Sequence, residues 1–153
     1  MTTILHATTS IFTKVSGDEK RFGDAGVPYQ ISIDGDVISK SLTVAADGTA
    51  TLYDGSVDGF ATASFYWIRS WYTIAIEVTY DTAGTYGVQY YPARVVGSGE
   101  DNKFGPALWV PDAKSYANYT AAFAAGTFVY PDLIKMKNLD STNATRVEFF
   151  CGD

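Results

Sequence analysis

Residues Ser64 to Tyr80 read SFYWIRSWYTIAIEVTY, the densest run of aromatic and β-branched residues in the chain. The run holds no Pro or Gly, so nothing in it breaks a strand. Its second half alternates. Ile74, Ile76, Val78 and Tyr80 fall on one side, and Thr73, Ala75, Glu77 and Thr79 on the other, the period of a half-buried antiparallel strand. Its first half does not alternate, because Phe65, Tyr66, Trp67 and Ile68 are apolar on both sides. A strand of that kind is covered on both faces, by its own domain or by a partner. The run therefore predicts two central strands that turn near Arg69 to Tyr72.

Working outward, short strand signals recur with turn chemistry between them. Ile4 to Val15 is Thr-rich and β-branched, and reads as a first strand or an extended arm. Ser16 to Gly26 carries Gly17, Asp18, Glu19, Lys20, Arg21, Gly23 and Asp24, and reads as a solvated loop. Val27 to Asp34 and Asp36 to Val44 flank Asp34-Gly35, and Asp47-Gly48 precedes Thr49 to Tyr53; both Asp-Gly steps are hairpin signals. After the central run come Thr85 to Tyr91, a continuation at Arg94 to Val96, and Ala107 to Val110. Ser115 to Ala125 is the one segment where a helical turn is plausible, with Tyr116, Tyr119 and Phe123 at helical spacing. Leu133 to Asn138 and Thr145 to Phe150 flank LDSTN and predict a last hairpin, with Lys135, Lys137, Arg146 and Glu148 on a solvated or partner-facing surface. Eight to ten short strands at such spacing predict an all-β fold. The expected form is an antiparallel β-sandwich of jelly-roll or Greek-key type with at most one short helix.

Length and composition bound the rest. The 153 residues suit one domain, 1–153, with 1–15 as an N-terminal arm or edge strand. The formal net charge of −6 argues against a nucleic-acid partner, which would need a basic face. No apolar run reaches 18 residues, so no membrane partner is expected, and MTTILHATTSIFTK lacks the pattern of a signal peptide. Cys151 is the only cysteine, which rules out an internal disulfide and fits synthesis in a reducing cytoplasm.

Catalytic chemistry is hard to assemble from these residues. His6 is the only histidine, with no nucleophile elbow in the chain, and it reads as an ordinary strand residue. Cys151 is in phase with Val147 and Phe149 and reads as a buried small hydrophobe. Two such residues cannot supply a zinc site. Asp34, Asp36, Asp54 and Asp58 lie in Gly-bearing loops that could present oxygens to calcium, although turn geometry already accounts for them. Glu77 and Glu148 are the strand carboxylates a glycosidase could pair, and each reads as part of a solvated face. No catalytic, cofactor-binding or metal-binding residue is assigned, and the chain is expected not to be an enzyme. The aromatic surplus is the sharper signal. Trp67, Arg69, Trp71, Tyr72, Tyr90, Tyr91 and Trp109 form the candidate interface, with a subunit contact favoured over a sugar platform.

Three stretches carry a resemblance: YWIRSWYTIAIEVTYDTAGTYG (Tyr66 to Gly87), SYANYTAAFAAGT (Ser115 to Thr127) and DLIKMKNLDSTNATRVEFF (Asp132 to Phe150). In texture and segment order they resemble small β-sandwich structural proteins of tailed bacteriophages. The resemblance implies a non-enzymatic virion protein made in the host cytoplasm, foremost a capsid decoration (cement) protein. It also implies partners in the major capsid protein or other virion proteins, and a homo-oligomer, with a trimer favoured. The alternatives are a carbohydrate- or receptor-binding module and a tail or neck component. It carries over no functional residue and no cofactor.

Overall fold

A computed structural model describes the backbone of residues 3–7, 11–15, 18–22, 29–33, 35–80, 88–91, 104–105, 107–116 and 128–153, with side chains from residue 35 onward except at 88–91. Among the described residues every regular element is a strand. Contacts divide the chain into two compact units, Met1–Gly35 and Asp36–Asp153.

In the first unit, β1 (Thr3–Ala7) pairs antiparallel with β4 (Tyr29–Ile33), and β2 (Ile11–Val15) with β3 (Asp18–Phe22). The segment expected to be a solvated loop thus carries a strand at Asp18–Phe22. Its charges hid the pattern, but Lys14 is registered opposite Glu19, an opposite-charge pairing that an antiparallel ladder favours. Residues 1–15 hold two strands, each paired within this unit. In place of the hairpin expected over Asp34-Gly35, Tyr29–Ile33 is registered with Thr3–Ala7 and Val37–Val44 with Thr145–Gly152; Asp34 itself lies outside the described residues.

The second unit is the sandwich. Its strands are β5 (Val37–Val44), β6 (Thr49–Asp54), β7 (Phe65–Ser70), β8 (Ile74–Tyr80), β9 (Val88–Tyr91), β10 (Leu108–Val110), β11 (Ser115–Tyr116), β12 (Phe128–Val129), β13 (Pro131–Asn138) and β14 (Thr145–Gly152). One four-stranded sheet has the order β10-β7-β14-β5 and the other β6-β13-β8-β9, while β11 and β12 form a separate two-stranded ribbon. The two halves of the unit pair in reverse order: β5 with β14, β6 with β13, β7 with β10 and β8 with β9, all antiparallel. Successive pairs fall in alternate sheets. That is a two-stranded ribbon rolled around one core, the jelly-roll arrangement.

This winding overturns the hairpins expected at Asp47-Gly48 and over LDSTN, while the central run turns between β7 and β8, near Arg69 to Tyr72, as expected. The turns after β5, β7 and β13 do not join laterally paired strands; each carries the chain from one sheet to the other. At the first, Asp47 takes a positive φ of 53° and the Gly48 N–H donates to the Ala45 carbonyl at 2.9 Å, so the Asp-Gly step does make a tight reversal. A reversal alone does not say whether its arms pair or face each other across a core. Here both arms have an apolar side to bury, Leu42 and Val44 before the turn and Ala50 and Leu52 after it, and facing each other covers both. The helical turn at Ser115 to Ala125 is also not formed where it is described: Ser115–Tyr116 is β11, and residues 117–125 lie outside the described residues, as do Arg94 to Val96.

The core fills the space between the sheets. Ile68, Val147, Phe149 and Cys151 come from one sheet; Leu52, Ile74, Ile76, Val78, Ile134 and Met136 come from the other. Burying each large apolar side chain contributes roughly 1.5–3 kcal/mol. The expected alternation of β8 holds residue by residue, with Ile74, Ile76, Val78 and Tyr80 buried. A polar tie closes one end of the sandwich. Asn138 is fully buried, and its Nδ2 donates to the carbonyls of Ala45 at 3.0 Å and Asn143 at 2.8 Å, joining two of the sheet-crossing turns.

Candidate functional site

The face built by the opening run is the outer surface of the β10-β7-β14-β5 sheet. On β7 the buried Tyr66, Ile68 and Ser70 point inward, which sends Phe65, Trp67 and Arg69 outward. On β14 the inward set is Thr145, Val147, Phe149 and Cys151, leaving Arg146, Glu148, Phe150 and Gly152 outward. On β10, Leu108 and Val110 pack on the core, so Trp109 faces out. Strand register then lines the residues up. Trp109, Trp67, Phe150 and Ser39 form one row across the sheet; Arg69, Glu148 and Ser41 form the next.

Phe65 is on this outer face yet only 2% exposed. The rings of Trp109 and Phe150 flank it at 5.8 and 5.7 Å between centroids. Gly152 makes the room, since a Cβ there would lie 2.9 Å from two Phe65 ring atoms. Such ring pairs are held by tilted contacts as well as by area burial. Phe65 is therefore covered on its outer side by aromatic neighbours, while Trp67 and Arg69 stay half-buried.

Arg69 organises the adjoining row. Its Nε and Nη2 both donate to Glu148 Oε2, at 2.7 and 2.5 Å. Its guanidinium lies 4.3 Å from the Phe104 ring centroid and 5.2 Å from that of Trp67. Stacked cations of this kind are held by the negative face of the ring. Phe104 also takes Arg146 at 5.9 Å and the Trp71 ring at 6.0 Å. Arg146 is exposed and donates to Ser41 Oγ at 3.4 Å; among the described residues it has no carboxylate partner.

Of the expected interface residues, Trp67, Arg69 and Trp109 share this face, and Trp71 joins its end through Phe104. Tyr72 sits in the turn, where its N–H donates to Thr145 Oγ1 and its carbonyl accepts the Ser70 hydroxyl. Tyr90 and Tyr91 are not brought there. They lie on β9, the edge strand of the other sheet, registered opposite Glu77 and Ile76. Phe65, Phe104 and Phe150 were not among the expected interface residues, while Arg146 and Glu148 were expected on a solvated or partner-facing surface. Phe150 was legible, because it is in phase with Arg146 and Glu148; Phe104 was not, because it stands in a polar stretch outside any strand.

The other outer face is of a different character. On β6, β8 and β13 it presents Thr49, Thr51, Ala75, Glu77, Thr79, Lys135 and Lys137. Lys135 and Lys137 were expected beside Arg146 and Glu148, but β13 and β14 lie in different sheets, so these pairs stand on opposite outer faces. Glu77 and Glu148 are separated in the same way, which removes the geometry a two-carboxylate glycosidase needs.

The acidic loop after β6 is committed to its own turn. Asp54 Oδ1 accepts the Ser56 hydroxyl at 2.6 Å and the Ser56 N–H at 2.9 Å, which holds the Asp54 carboxyl below its ordinary range. Asp58 Oδ2 accepts from Lys40 Nζ at 2.8 Å and from the Asp54 N–H at 2.9 Å. Lys40 is in phase with the inward Ile38 and Leu42 on edge strand β5, and an inward charge is one way an edge is kept from pairing with strangers. Burial pushes the Cys151 thiol up to about 12, so it is a protonated core group and no nucleophile at neutral pH. Among the described residues no group of three His, Cys, Asp or Glu could hold a metal ion. His6 is registered opposite Gln30 on β4.

The chain matches no family model, no curated protein and no solved structure.

Proposed function

We propose that this chain is a non-enzymatic virion structural protein that holds to its neighbours through the aromatic face of the β10-β7-β14-β5 sheet, foremost as a capsid decoration protein. The observation that carries the interface is the contrast between the two outer faces. On its described strands β6, β8 and β13 one presents Thr, Lys and Glu; the other presents Trp67, Trp109, Phe150 and a stacked Arg69. Trp and Arg are the residues that dominate binding energy at protein interfaces, and one-sided aromatic surface is what a partner covers. The virion context is supported by the resemblance of the sequence to phage β-sandwich proteins. The jelly roll is a fold that capsid proteins use, which agrees with that context.

Mass spectrometry of purified particles is the direct test. The chain is expected in fixed ratio to a capsid or tail protein, and a Trp67→Ser, Trp109→Ser double variant that melts like wild type is expected to be missing from the particles. Particles lacking the wild-type chain, or normal incorporation of the variant, defeat the proposal. A sugar-stacking module is the second reading, because Trp67 and Trp109 stand directly opposite each other on neighbouring strands. Glycan binding that is lost in the same folded variant would favour it.

A further inference from the structure

The two arginines of the aromatic face are matched unequally. Arg69 directs both Nε and Nη2 to Glu148 Oε2. Arg146 is exposed; its guanidinium meets Ser41 Oγ at 3.4 Å and the Phe104 ring at 5.9 Å, and among the described residues no carboxylate reaches it. Both guanidiniums thus look onto one ring, with one carboxylate to share. The sheet has no other acid to give. Glu148 is the one acidic residue on its four strands. Asp36 and Asp153, which flank β5 and β14, are in phase with the inward Ile38 and Cys151, so they add no charge to the outer face.

From this charge pattern, and resting on the reading of the face as an interface, we infer that its occupant is an acidic surface of a different protein, which sets an Asp or Glu carboxylate on Arg146. Area makes the pairing necessary. Four strands at about 4.8 Å spacing, the longest of eight residues at about 3.3 Å each, give the sheet roughly 500 Å² of outer face, while a specific interface buries about 800 Å² per partner. A partner seated on Trp67 and Phe150 therefore covers the whole sheet and takes Arg146 out of water. A guanidinium desolvated without a counter-charge is costly, and a carboxylate that accepts from its fork removes that cost. The same pairing steers the partner onto the face and rejects basic or neutral competitors. The aromatic face of a second copy does not meet this need, because its single carboxylate is already held by Arg69. At the far end of β5 the face is apolar, with Val37 41% exposed, so the occupant is acidic at the Arg146 corner and apolar over the rest.

Competition for places on the particle tests this with the full chain. Wild type and one variant are supplied in equal amounts during assembly, and mass spectrometry counts both in the purified particles. Arg146→Glu should be incorporated at least about tenfold less than wild type, and Arg146→Lys, which keeps the charge, within about threefold of it. Lys135→Glu makes the same change of net charge on the other outer face and should be incorporated like wild type. Equal thermal melts for all four proteins exclude misfolding as the cause. Carbodiimide treatment of the Arg146→Lys particles, which joins an amine to a carboxylate in direct contact, should link position 146 to an Asp or Glu of another protein. Arg146→Glu incorporated like wild type, an equal drop for Lys135→Glu, or position 146 linked to nothing beyond this chain and its copies overturns the inference. If wild type is nevertheless present in the particles, and lost from them in the tryptophan double variant, the interface reading stands and only its occupant is removed. Particles without the wild-type chain defeat that reading and this inference with it.

Discussion

Replacing Asn138 should loosen the sandwich at the end where its sheet-crossing turns meet. The side chain is fully buried. Its Nδ2 donates to Ala45 O at 3.0 Å and Asn143 O at 2.8 Å, with Val44 O at 3.4 Å, and its Oδ1 accepts the Asp140 N–H at 3.1 Å. Three good bonds are lost in Asn138→Ala. At about 1 kcal/mol net for each, with part of the freed polar surface rehydrated, the cost is about 3 kcal/mol. The sandwich unit spans Asp36–Asp153, and for a unit of that size this loss lowers the melting temperature by roughly 10 °C. Asn138→Asp keeps the shape and reverses the chemistry, turning a carboxylate oxygen toward two or three carbonyls. Its charged form is disfavoured in the folded chain, so its folded pKa rises above the unfolded value of about 3.9. The folded chain then keeps a proton that the unfolded chain has released. Relative to wild type, the variant should be most stable below pH 4 and lose stability as pH rises through the folded pKa. Calorimetry and urea titration of the three proteins at pH 4 and pH 7 measure both effects. An Ala variant melting within about 2 °C of wild type, or an Asp variant at pH 7 no worse than Ala, would refute the role given to this side chain.

Two further expectations concern the core and the aromatic face. Cys151 is buried with its thiol pushed up to about 12, and burial also raises the Tyr53 hydroxyl. The unfolded chain therefore loses these protons first. Stability should be unaffected below pH 9 and fall above it, by up to about 1.4 kcal/mol per pH unit for the thiol, and Cys151→Ala should flatten that limb in alkaline urea titrations. An alkaline limb unchanged by the substitution would assign it elsewhere. Gly152→Ala sets a Cβ 2.9 Å from the Phe65 ring and 3.0 Å from the Asp36 carbonyl. Overpacking of that order costs about 1–3 kcal/mol and should tilt Phe65 out of its place between Trp109 and Phe150, seen as a lower melting temperature and a changed near-UV aromatic signal; a variant identical to wild type in both would show that the ring has room to spare.

Individual strands were legible because alternation is a local property. Ile74 to Tyr80 alternate in sequence and alternate in burial, with no help needed from the rest of the chain. Pairing was not legible, because an Asp-Gly step reports only a reversal. Asp47-Gly48 makes its turn, yet its two arms enter different sheets, held there by a partner 90 residues on: the Asp47 N–H donates to Asp140 O at 3.0 Å, and the Asn138 N–H to Gly48 O at 2.9 Å. Only the second half of the chain decides that the arms face each other. β3 escaped notice for the opposite reason. Its residues DEKRF look solvated by composition, and the strand becomes visible only when Lys14 and Glu19 are set opposite each other.

The site turned on the same distinction between phase and pairing. Phe65 to Ser70 is apolar on both sides, so its own pattern cannot say which side meets the core. The neighbouring strand can. Val147, Phe149 and Cys151 on β14 are buried, and register sets them opposite Ser70, Ile68 and Tyr66. That assigns Phe65, Trp67 and Arg69 to the outside, and it picks out Phe150 and Glu148 as their companions. The β14 phase was already readable in VEFFC, where Val147, Phe149 and Cys151 alternate with Glu148 and Phe150. What the sequence lacked was the pairing that transfers this phase to β7. Tyr90 and Tyr91 were grouped with the tryptophans on aromatic character alone, and the winding places them on the other sheet. An aromatic surplus therefore identifies a surface only after strand pairing has said which aromatics share a face. Here it selects the row that ends in Trp109 and leaves the tyrosines of β9 out.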